Sequence, residues 1–152
     1  MRQYSDTVHI ILTDDDGDEF ELFKDAFQSL NVKHKLDYFR NGKELMDFLN
    51  HPDTPVPDIL FLDLNMPVMS GIECLHEIRA DKRFNNMPIA IYSTSSSEKD
   101  QQDTFMGGAN IYIRKPDSFE DMKRILRHVL KVSWQFHTSS LNMDTFILSI
   151  SN

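Results

Sequence analysis

Acidic, hydroxyl and basic residues follow four short apolar runs of this 152-residue sequence, each at the point where the run ends. They are Asp14-Asp15-Asp16, Asp63, the hydroxyl cluster Ser93–Ser97 and Arg114-Lys115-Pro116. Carboxylates that crowd together repel one another unless a cation lies among them. Oxygen ligands with no His or Cys close by in sequence favour Mg²⁺ over zinc. If the runs are neighbouring strands, these groups surround one shallow pocket that suits a magnesium ion.

The chemistry that such a set could perform is phosphoryl transfer. An Asp carboxylate can act as a nucleophile and form an acyl phosphate. A lysine such as Lys115 balances the charge of a bound phosphoryl group, and a hydroxyl group donates a hydrogen bond to another of its oxygens. Phosphoryl transfer needs mainly alignment and charge neutralisation, and this set supplies both.

Each feature also has an ordinary structural explanation when it is taken alone. An Asp pair after a strand is usually a helix N-cap with a first-turn acid, a Ser/Thr run is usually a loop, and Lys-Pro often marks a turn. Their occurrence in order at successive strand ends favours a functional site. The spacing of Asp14, Asp16 and Asp18 resembles the start of an EF-hand loop, but Glu19 and Asp25 stand where that loop needs Gly and Glu. No Walker loop is present in the sequence.

Short apolar runs alternate with amphipathic segments along most of the chain, and this predicts a parallel α/β sheet with helices on both faces. Functional residues of such sheets lie just past the carboxyl ends of the strands. A Ser95/Glu98 capping box is expected to open the fourth helix. The predicted strands are Val8–Leu12, Leu36–Phe39, Ile59–Leu62, Ile89–Tyr92 and Ile111–Ile113. The predicted helices cover Asp18–Leu30, Leu45–Leu49, Ile72–Arg79, Ser95 to about Gly107, and Ser118–Lys131.

Four stretches of the sequence closely resemble the receiver domain of two-component response regulators. They are Ile10–Asp16, Leu62–Gly71, Ile91–Thr94 and Tyr112–Pro116. The match covers roughly residues 8–131, which we expect to form the receiver domain. It implies the flavodoxin-like doubly wound fold, with five parallel strands in the order 2-1-3-4-5 and five helices. Residues 132–152 would be a C-terminal extension of unknown role.

The resemblance also implies roles for the acidic residues. Asp63 would be the phosphoacceptor, Asp15 a direct Mg²⁺ ligand, and Asp14 a ligand that acts largely through water. The backbone carbonyl group of Asn65 would complete the metal shell. Asn65 and Ser95 would lie beside the path of an attacking water and tune the lifetime of the phosphorylated state.

The same resemblance assigns the remaining residues. Ser93 would be the switch hydroxyl and Lys115 the ion-pair partner of the phosphoryl group. Pro116 would follow a cis peptide bond that aims Lys115, and Tyr112 would be the aromatic residue that changes rotamer on activation. The run of five hydroxyl residues leaves Ser93 and Thr94 both open on sequence alone, and only the spacing favours Ser93.

Composition limits the classes of partner. The chain carries 16 Lys and Arg against 24 Asp and Glu, a formal net charge of −8, so we expect no direct contact with nucleic acid. Its one cysteine excludes an internal disulfide and a thiolate zinc cluster. No apolar run is long enough for a membrane helix, and we expect a cytoplasmic protein. The apolar residues Trp134, Phe136, Leu141 and Phe146–Leu148 favour an extra helix or strand packed on the domain over a dimer or partner contact.

We therefore expect a single-domain response regulator rather than an enzyme. A histidine kinase or histidine phosphotransfer protein would phosphorylate Asp63 in a Mg²⁺-dependent reaction, and the output would be docking to a downstream protein. Two alternatives remain. One is an interaction module of the same fold that works without phosphorylation. The other is a phosphatase that passes through an aspartyl phosphate, although such enzymes usually have a second acid where this chain has Asn65.

Overall fold

The computed structural model of the protein describes residues 7–136 and 147–148, with side chains from 7 to 131. Its strands form one sheet in which every neighbouring pair is parallel, in the order β2-β1-β3-β4-β5-β6. The strands are β1 (Val8–Thr13), β2 (His34–Phe39), β3 (Ile59–Leu62), β4 (Ile89–Ser93), β5 (Ile111–Arg114) and β6 (Ile147–Leu148).

Five α-helices alternate with the first five strands. They are α1 (Gly17–Ser29), α2 (Gly42–Asn50), α3 (Gly71–Ala80), α4 (Glu98–Met106) and α5 (Phe119–Phe136), and a 3₁₀ turn covers Lys82–Phe84. Side chains cap the starts of α1 to α4, with Asp16, Asn41, Ser70 and Ser97 each accepting a backbone N–H of the first turn. Across the described residues, none of these helices has both the length and the hydropathy to cross a bilayer.

The sheet separates two apolar clusters, because buried strand residues point alternately to its two faces. One cluster packs β-strand side chains against α1 and α5 and contains Phe23, Phe61 and Leu126. The other packs them against α2 and α3 and contains Leu49 and Leu75. All four residues of β3 are buried, which explains its continuously apolar sequence.

The predicted architecture is confirmed, with two differences. The order 2-1-3-4-5 is observed, and a sixth strand extends the sheet: Ile147 pairs with Tyr112, and Leu148 with Ile113. Helix α5 continues past residue 131 to Phe136. Strand β6 agrees with the expectation of an extra strand against the domain, whereas residues 132–136 continue α5 and form no separate element. Leu141 and Phe146 lie outside the described residues.

The predicted start of α4 is wrong. The N-cap is Ser97, whose side chain accepts the N–H of Asp100. The hydroxyl of Ser95 instead donates to the Asp100 carboxylate at 2.7 Å. All five residues from Ser93 to Ser97 carry a hydroxyl that can cap a helix, so the sequence alone does not distinguish them.

Candidate functional site

The residues predicted to act together follow adjacent strands, and backbone hydrogen bonds fix each of them to its neighbour. The N–H of Asp14 donates to Phe39 O at 3.1 Å, and that of Asp63 to Thr13 O at 2.9 Å. The N–H of Lys115 donates to Ser93 O at 2.8 Å. These bonds continue the sheet past the strand ends, so the side chains start from a rigid edge.

Three carboxylates meet at this edge. Asp14, Asp15 and Asp63 each offer an oxygen, and these oxygens lie within 4.8 Å of one another. Asp14 and Asp63 are buried, whereas Asp15 is exposed. Asp16 does not join them, because its side chain caps α1 by accepting the N–H of Asp18 at 2.9 Å. The N-cap explanation therefore holds for the third Asp of the run and fails for the first two.

Lys115 reaches the carboxylates from β5. Its Nζ lies 2.6 Å from Asp14 Oδ2 and 3.9 Å from Asp63 Oδ2, with 13% of the side chain exposed. Burial by itself favours the neutral amine, but the contact with Asp14 outweighs it and raises the pKa of Lys115. The lysine is therefore a partly buried, protonated cation held mainly by Asp14.

The prediction of a cis peptide bond before Pro116 is wrong. No peptide bond of the described residues is cis, so the Lys115–Pro116 bond is trans. The trans form is favoured by about 0.5–1 kcal/mol before proline. The ion pair with Asp14 shows that Lys115 reaches the site with this bond trans.

Burial and charge raise the proton affinity of the acids. Burial, together with the neighbouring Asp14 carboxylate, raises the pKa of Asp63 to about 6 from its ordinary 3.8. Burial also raises the pKa of Asp14, although Lys115 and the N–H of Asp16 oppose the shift. Three acids face one ammonium group here, and a site with this excess of negative charge attracts a cation.

The donor set fits a magnesium ion. Ligands of an octahedral Mg²⁺ lie about 3 to 4.2 Å apart, so oxygens that already fall within 4.8 Å of one another need only a small approach to share one ion. The exposure of Asp15 leaves one side open for the waters that Mg²⁺ usually retains. Asp14, Asp15 and Asp63 would hold the ion. The part assigned to the carbonyl group of Asn65 stays a prediction.

The hydroxyl residues are connected to β5 through one loop. Ser93 is buried at the end of β4, and its Oγ accepts the N–H of Ser95 at 3.1 Å, whereas Thr94 is exposed. Tyr112 is buried, and its hydroxyl donates to Ser95 O at 2.9 Å. Ser93 and Tyr112 therefore meet at the backbone of Ser95.

The loop between Asp63 and α3 is held tightly. The N–H of Gly71 donates to Leu64 O at 3.0 Å, and a Cβ at Gly71 would lie 2.2 Å from Asp63 O. Ser70 and Glu73 form a reciprocal capping box at the start of α3. This helix start therefore fixes the backbone of the acid that precedes it.

Sequence reasoning missed three side chains around the carboxylates. The hydroxyl of Tyr38 donates to Asp14 O at 2.8 Å. Tyr92 packs its ring against Lys115, with Nζ 5.6 Å from the ring centroid. Glu19 has a buried Oε1. Both tyrosines stand in predicted strands, and a hydroxyl near the carboxyl end of a strand is the signal that could have marked them.

Comparisons with known proteins agree with this geometry. The sequence profile of the response regulator receiver domain matches residues 10–127. The probable methanogenesis regulatory protein FilR2 of Methanothrix harundinacea is 30% identical over 123 residues, which cover 79% of this chain and 79% of FilR2. The response regulator Rcp1 of Synechocystis is 26% identical over 124 residues, 79% of this chain and 84% of Rcp1.

Solved structures show the same fold. The phosphorylated cyanobacterial phytochrome response regulator RcpA superposes with a TM-score of 0.79 at 27% identity, covering 90% of this chain and 99% of that one. The Mn²⁺-bound form of Rcp1 superposes with a TM-score of 0.74 at 25% identity, covering 89% and 99%. By its matched sequence, its strand order and its relatives, the chain belongs to the response regulator receiver domains of two-component signalling.

Proposed function

We propose that this chain is a single-domain response regulator, with its receiver domain over residues 8–131, which accepts a phosphoryl group on Asp63. The donor would be a histidine kinase or a histidine phosphotransfer protein. The observation that carries the proposal is the meeting of Asp14, Asp15 and Asp63 within 4.8 Å, beside the ammonium group of Lys115. Lys115 and the N–H of Asp16 already engage Asp14, and Asp15 is exposed. Asp63 is buried beside Lys115 and is therefore the nucleophile that we propose.

The transfer forms one bond and breaks another. A carboxylate oxygen of Asp63 bonds to phosphorus as the P–N bond of the donor phosphohistidine breaks, and the released imidazole takes up a proton. Lys115 lies 3.9 Å from Asp63 Oδ2, near enough to pair with a phosphoryl oxygen after a small movement. Bound Mg²⁺ would neutralise negative charge on the phosphoryl oxygens.

The same geometry supports a switch from Asp63 to the face formed by α4, β5 and α5. A phosphoryl group on Asp63 would draw the Ser93 hydroxyl inward. Because Ser93 and Tyr112 both bind the backbone of Ser95, that movement would change the contacts of Tyr112 in β5. The altered face would then dock to a downstream protein. Amide hydrogen exchange over residues 94–114 should change on phosphorylation in the wild type and stay unchanged in Ser93→Ala.

A small phosphodonor tests the acceptor. Wild-type protein incubated with phosphoramidate and Mg²⁺ should gain the mass of one phosphoryl group, and hydroxylamine should remove it because an acyl phosphate is labile. Asp63→Asn should gain nothing, and chelation of Mg²⁺ should prevent the gain. Asp53→Asn is the matched control, since Asp53 is an exposed acid outside the carboxylate cluster.

Other outcomes would support the alternatives. Absence of any mass gain, or a gain that survives Asp63→Asn, favours an interaction module that works without phosphorylation. Steady hydrolysis of generic phosphomonoesters by the wild type, lost in Asp63→Asn, favours a phosphatase.

The lifetime of the phosphorylated state would depend on residues beside the acceptor. Asn65 is exposed two residues after Asp63, whereas the hydroxyl of Ser95 is bound to Asp100 at 2.7 Å. We therefore expect Asn65→Ala to change the dephosphorylation rate more than Ser95→Ala does. Unchanged rates in both variants would remove these residues from the hydrolytic path.

A further inference from the structure

Tyr92 places a polar group inside an apolar cluster directly behind the site. Its side chain is fully buried, with ring centroids 5.8 Å from Phe23 and 6.3 Å from Phe61. The hydroxyl makes no well-formed hydrogen bond to the described residues. A phenylalanine would fill the same space without leaving a buried hydroxyl, so packing alone does not account for this tyrosine.

Glu19 brings a second buried polar group to the same place. It lies in the first turn of α1, and its Oε1 is buried and likewise lacks a well-formed hydrogen bond to the described residues. Glu19 lies four residues before Phe23, on the same face of α1, and the Phe23 ring packs against Tyr92 at 5.8 Å. This places the carboxylate near the Tyr92 hydroxyl, where it adds to burial in raising the pKa of Tyr92. Two such groups side by side are more consistent with a shared role than with two separate packing faults.

Lys115 connects this pair to the carboxylates. Its Nζ lies 5.6 Å from the centroid of the Tyr92 ring, a distance at which the ring attracts a cation. The charge of Glu19 is among those that favour the protonated lysine. The same ammonium group lies 2.6 Å from Asp14 Oδ2 and 3.9 Å from Asp63 Oδ2.

We propose that Tyr92 and Glu19 are positioning residues that hold the ammonium group of Lys115 at the carboxylate cluster, within reach of Asp63. When Asp14 shares its charge with a metal ion, its hold on Lys115 weakens. The Tyr92 ring and the Glu19 carboxylate, which a hydrogen bond from the nearby Tyr92 hydroxyl would fix, would then hold the lysine within reach of a phosphoryl oxygen. This inference rests on the proposed phosphorylation of Asp63.

Beryllofluoride, a mimic of the phosphoryl group, tests the inference on the full chain with Mg²⁺ present. Glu19→Gln removes a charge near the lysine, and Tyr92→Phe keeps the ring but removes the hydroxyl beside Glu19. Each should weaken the apparent affinity for beryllofluoride by roughly three- to tenfold, the range expected for one contact to a charged group. The affinity for Mg²⁺ alone, measured by calorimetry, should change by less than about twofold. Glu21→Gln is the matched control, because Glu21 is an exposed acid of the same helix.

Two combinations separate positioning from packing. The double variant Glu19→Gln/Tyr92→Phe should bind beryllofluoride about as well as either single variant, because the two residues act as one unit. In a Lys115→Ala background neither substitution should cause a further loss. Both are nearly isosteric, and circular dichroism would confirm that they fold.

Several results would overturn the inference. One is that Glu19→Gln and Tyr92→Phe bind beryllofluoride as tightly as the wild type, and another is that their losses add in the double variant. A further loss of beryllofluoride affinity in the Lys115→Ala background, or an equal loss of Mg²⁺ affinity, would also contradict it. A lower melting temperature with unchanged beryllofluoride affinity would assign Tyr92 to packing alone. If instead the wild type binds no beryllofluoride and gains no phosphoryl group, the proposed function itself fails.

Discussion

Charge is unbalanced at the carboxyl edge of the sheet. Asp14, Asp15 and Asp63 share one ammonium group, that of Lys115, which lies much nearer to Asp14 than to Asp63. Of the two buried acids, Asp63 is therefore the one whose negative charge is less compensated. A cation bound at the cluster would compensate this charge. The three carboxylates can therefore hold a metal ion.

Asp63→Asn should stabilise the protein at neutral pH when no divalent ion is present. Burial and Asp14 raise the pKa of Asp63 to about 6, so folding favours its protonated form. Below about pH 4 the acid is protonated in both the folded and the unfolded state. Between about pH 4 and pH 6 the unfolded chain has lost this proton while the folded protein keeps it, so the folded protein loses up to about 3 kcal/mol of stability over this range, since each pKa unit corresponds to about 1.4 kcal/mol.

Urea unfolding with a chelator at pH 4 and pH 7.5 measures this effect. The gain in unfolding free energy for Asp63→Asn should be about 2–3 kcal/mol at pH 7.5 and small at pH 4. Asp53→Asn should show little change at either pH. A gain of the same size at both values would mean that ionisation of Asp63 is not its cause.

Val68→Asn should also stabilise the protein, for a backbone reason. Val68 has φ of +70°, and the N–H of Met69 donates to Pro67 O at 2.7 Å across it, which forms a tight three-residue turn. A β-branched residue in this region is strained by about 1–2 kcal/mol, whereas Asn adopts it more readily. The side chain is 77% exposed, so little packing is lost. Thermal unfolding should show a gain of about 1 kcal/mol, absent in the control Val56→Asn; an unchanged or lower stability would contradict the strain.

Helix α3 controls the position of Asp63 through one close backbone contact. A Cβ at Gly71 would lie 2.2 Å from Asp63 O and 2.8 Å from the Cα of Leu64. Gly71→Ala must therefore displace either the helix start or the acid, and we expect a loss of about 1–3 kcal/mol in unfolding free energy. Phosphorylation of Asp63 by phosphoramidate should slow as well.

Gly17→Ala is the matched control, because a Cβ there meets nothing within 4 Å. Alanine at that helical position should leave phosphorylation unchanged and should not destabilise the protein. Equal behaviour of the two variants would show that the contact between α3 and Asp63 does not position the acid.

The apolar pattern of the sequence predicted best those strands that are buried on both faces of the sheet. The strand β3 is buried at every position and was clear in the sequence, whereas β2 is only half-buried and gave a weaker signal. The start of α4 was misplaced because neighbouring hydroxyls are equivalent as caps. Gly71 matters because two backbone segments approach closely there, and Val68 matters because of its positive φ. Neither property can be predicted from the spacing of apolar residues.

The side chains of the site converge because of the strand order of the sheet. Each of β1, β3, β4 and β5 was marked by its own sequence, but their adjacency was implied only by the family resemblance. Once they are parallel neighbours, Asp14, Asp63 and Lys115 must meet at one edge. The lining behind that edge, Tyr92 and Glu19, was hidden because a strand tyrosine and a first-turn acid both have common structural roles.

Divalent ions should stabilise the whole domain through this edge. An ion that binds only the folded state adds about 2.7 kcal/mol when its concentration is 100 times its dissociation constant. The melting temperature should therefore rise with Mg²⁺ concentration at pH 7.5. The rise should shrink near pH 5, because protons then compete for Asp63, whose pKa lies near 6.

Asp15→Asn should abolish most of the rise while barely changing stability without the ion, since Asp15 is exposed. Asp18→Asn, an exposed acid of the first turn of α1 that lies outside the cluster, should retain the rise. An equal rise in both variants would mean that Mg²⁺ acts on the general acidity of the surface, with its net charge of −8, and not at the three carboxylates.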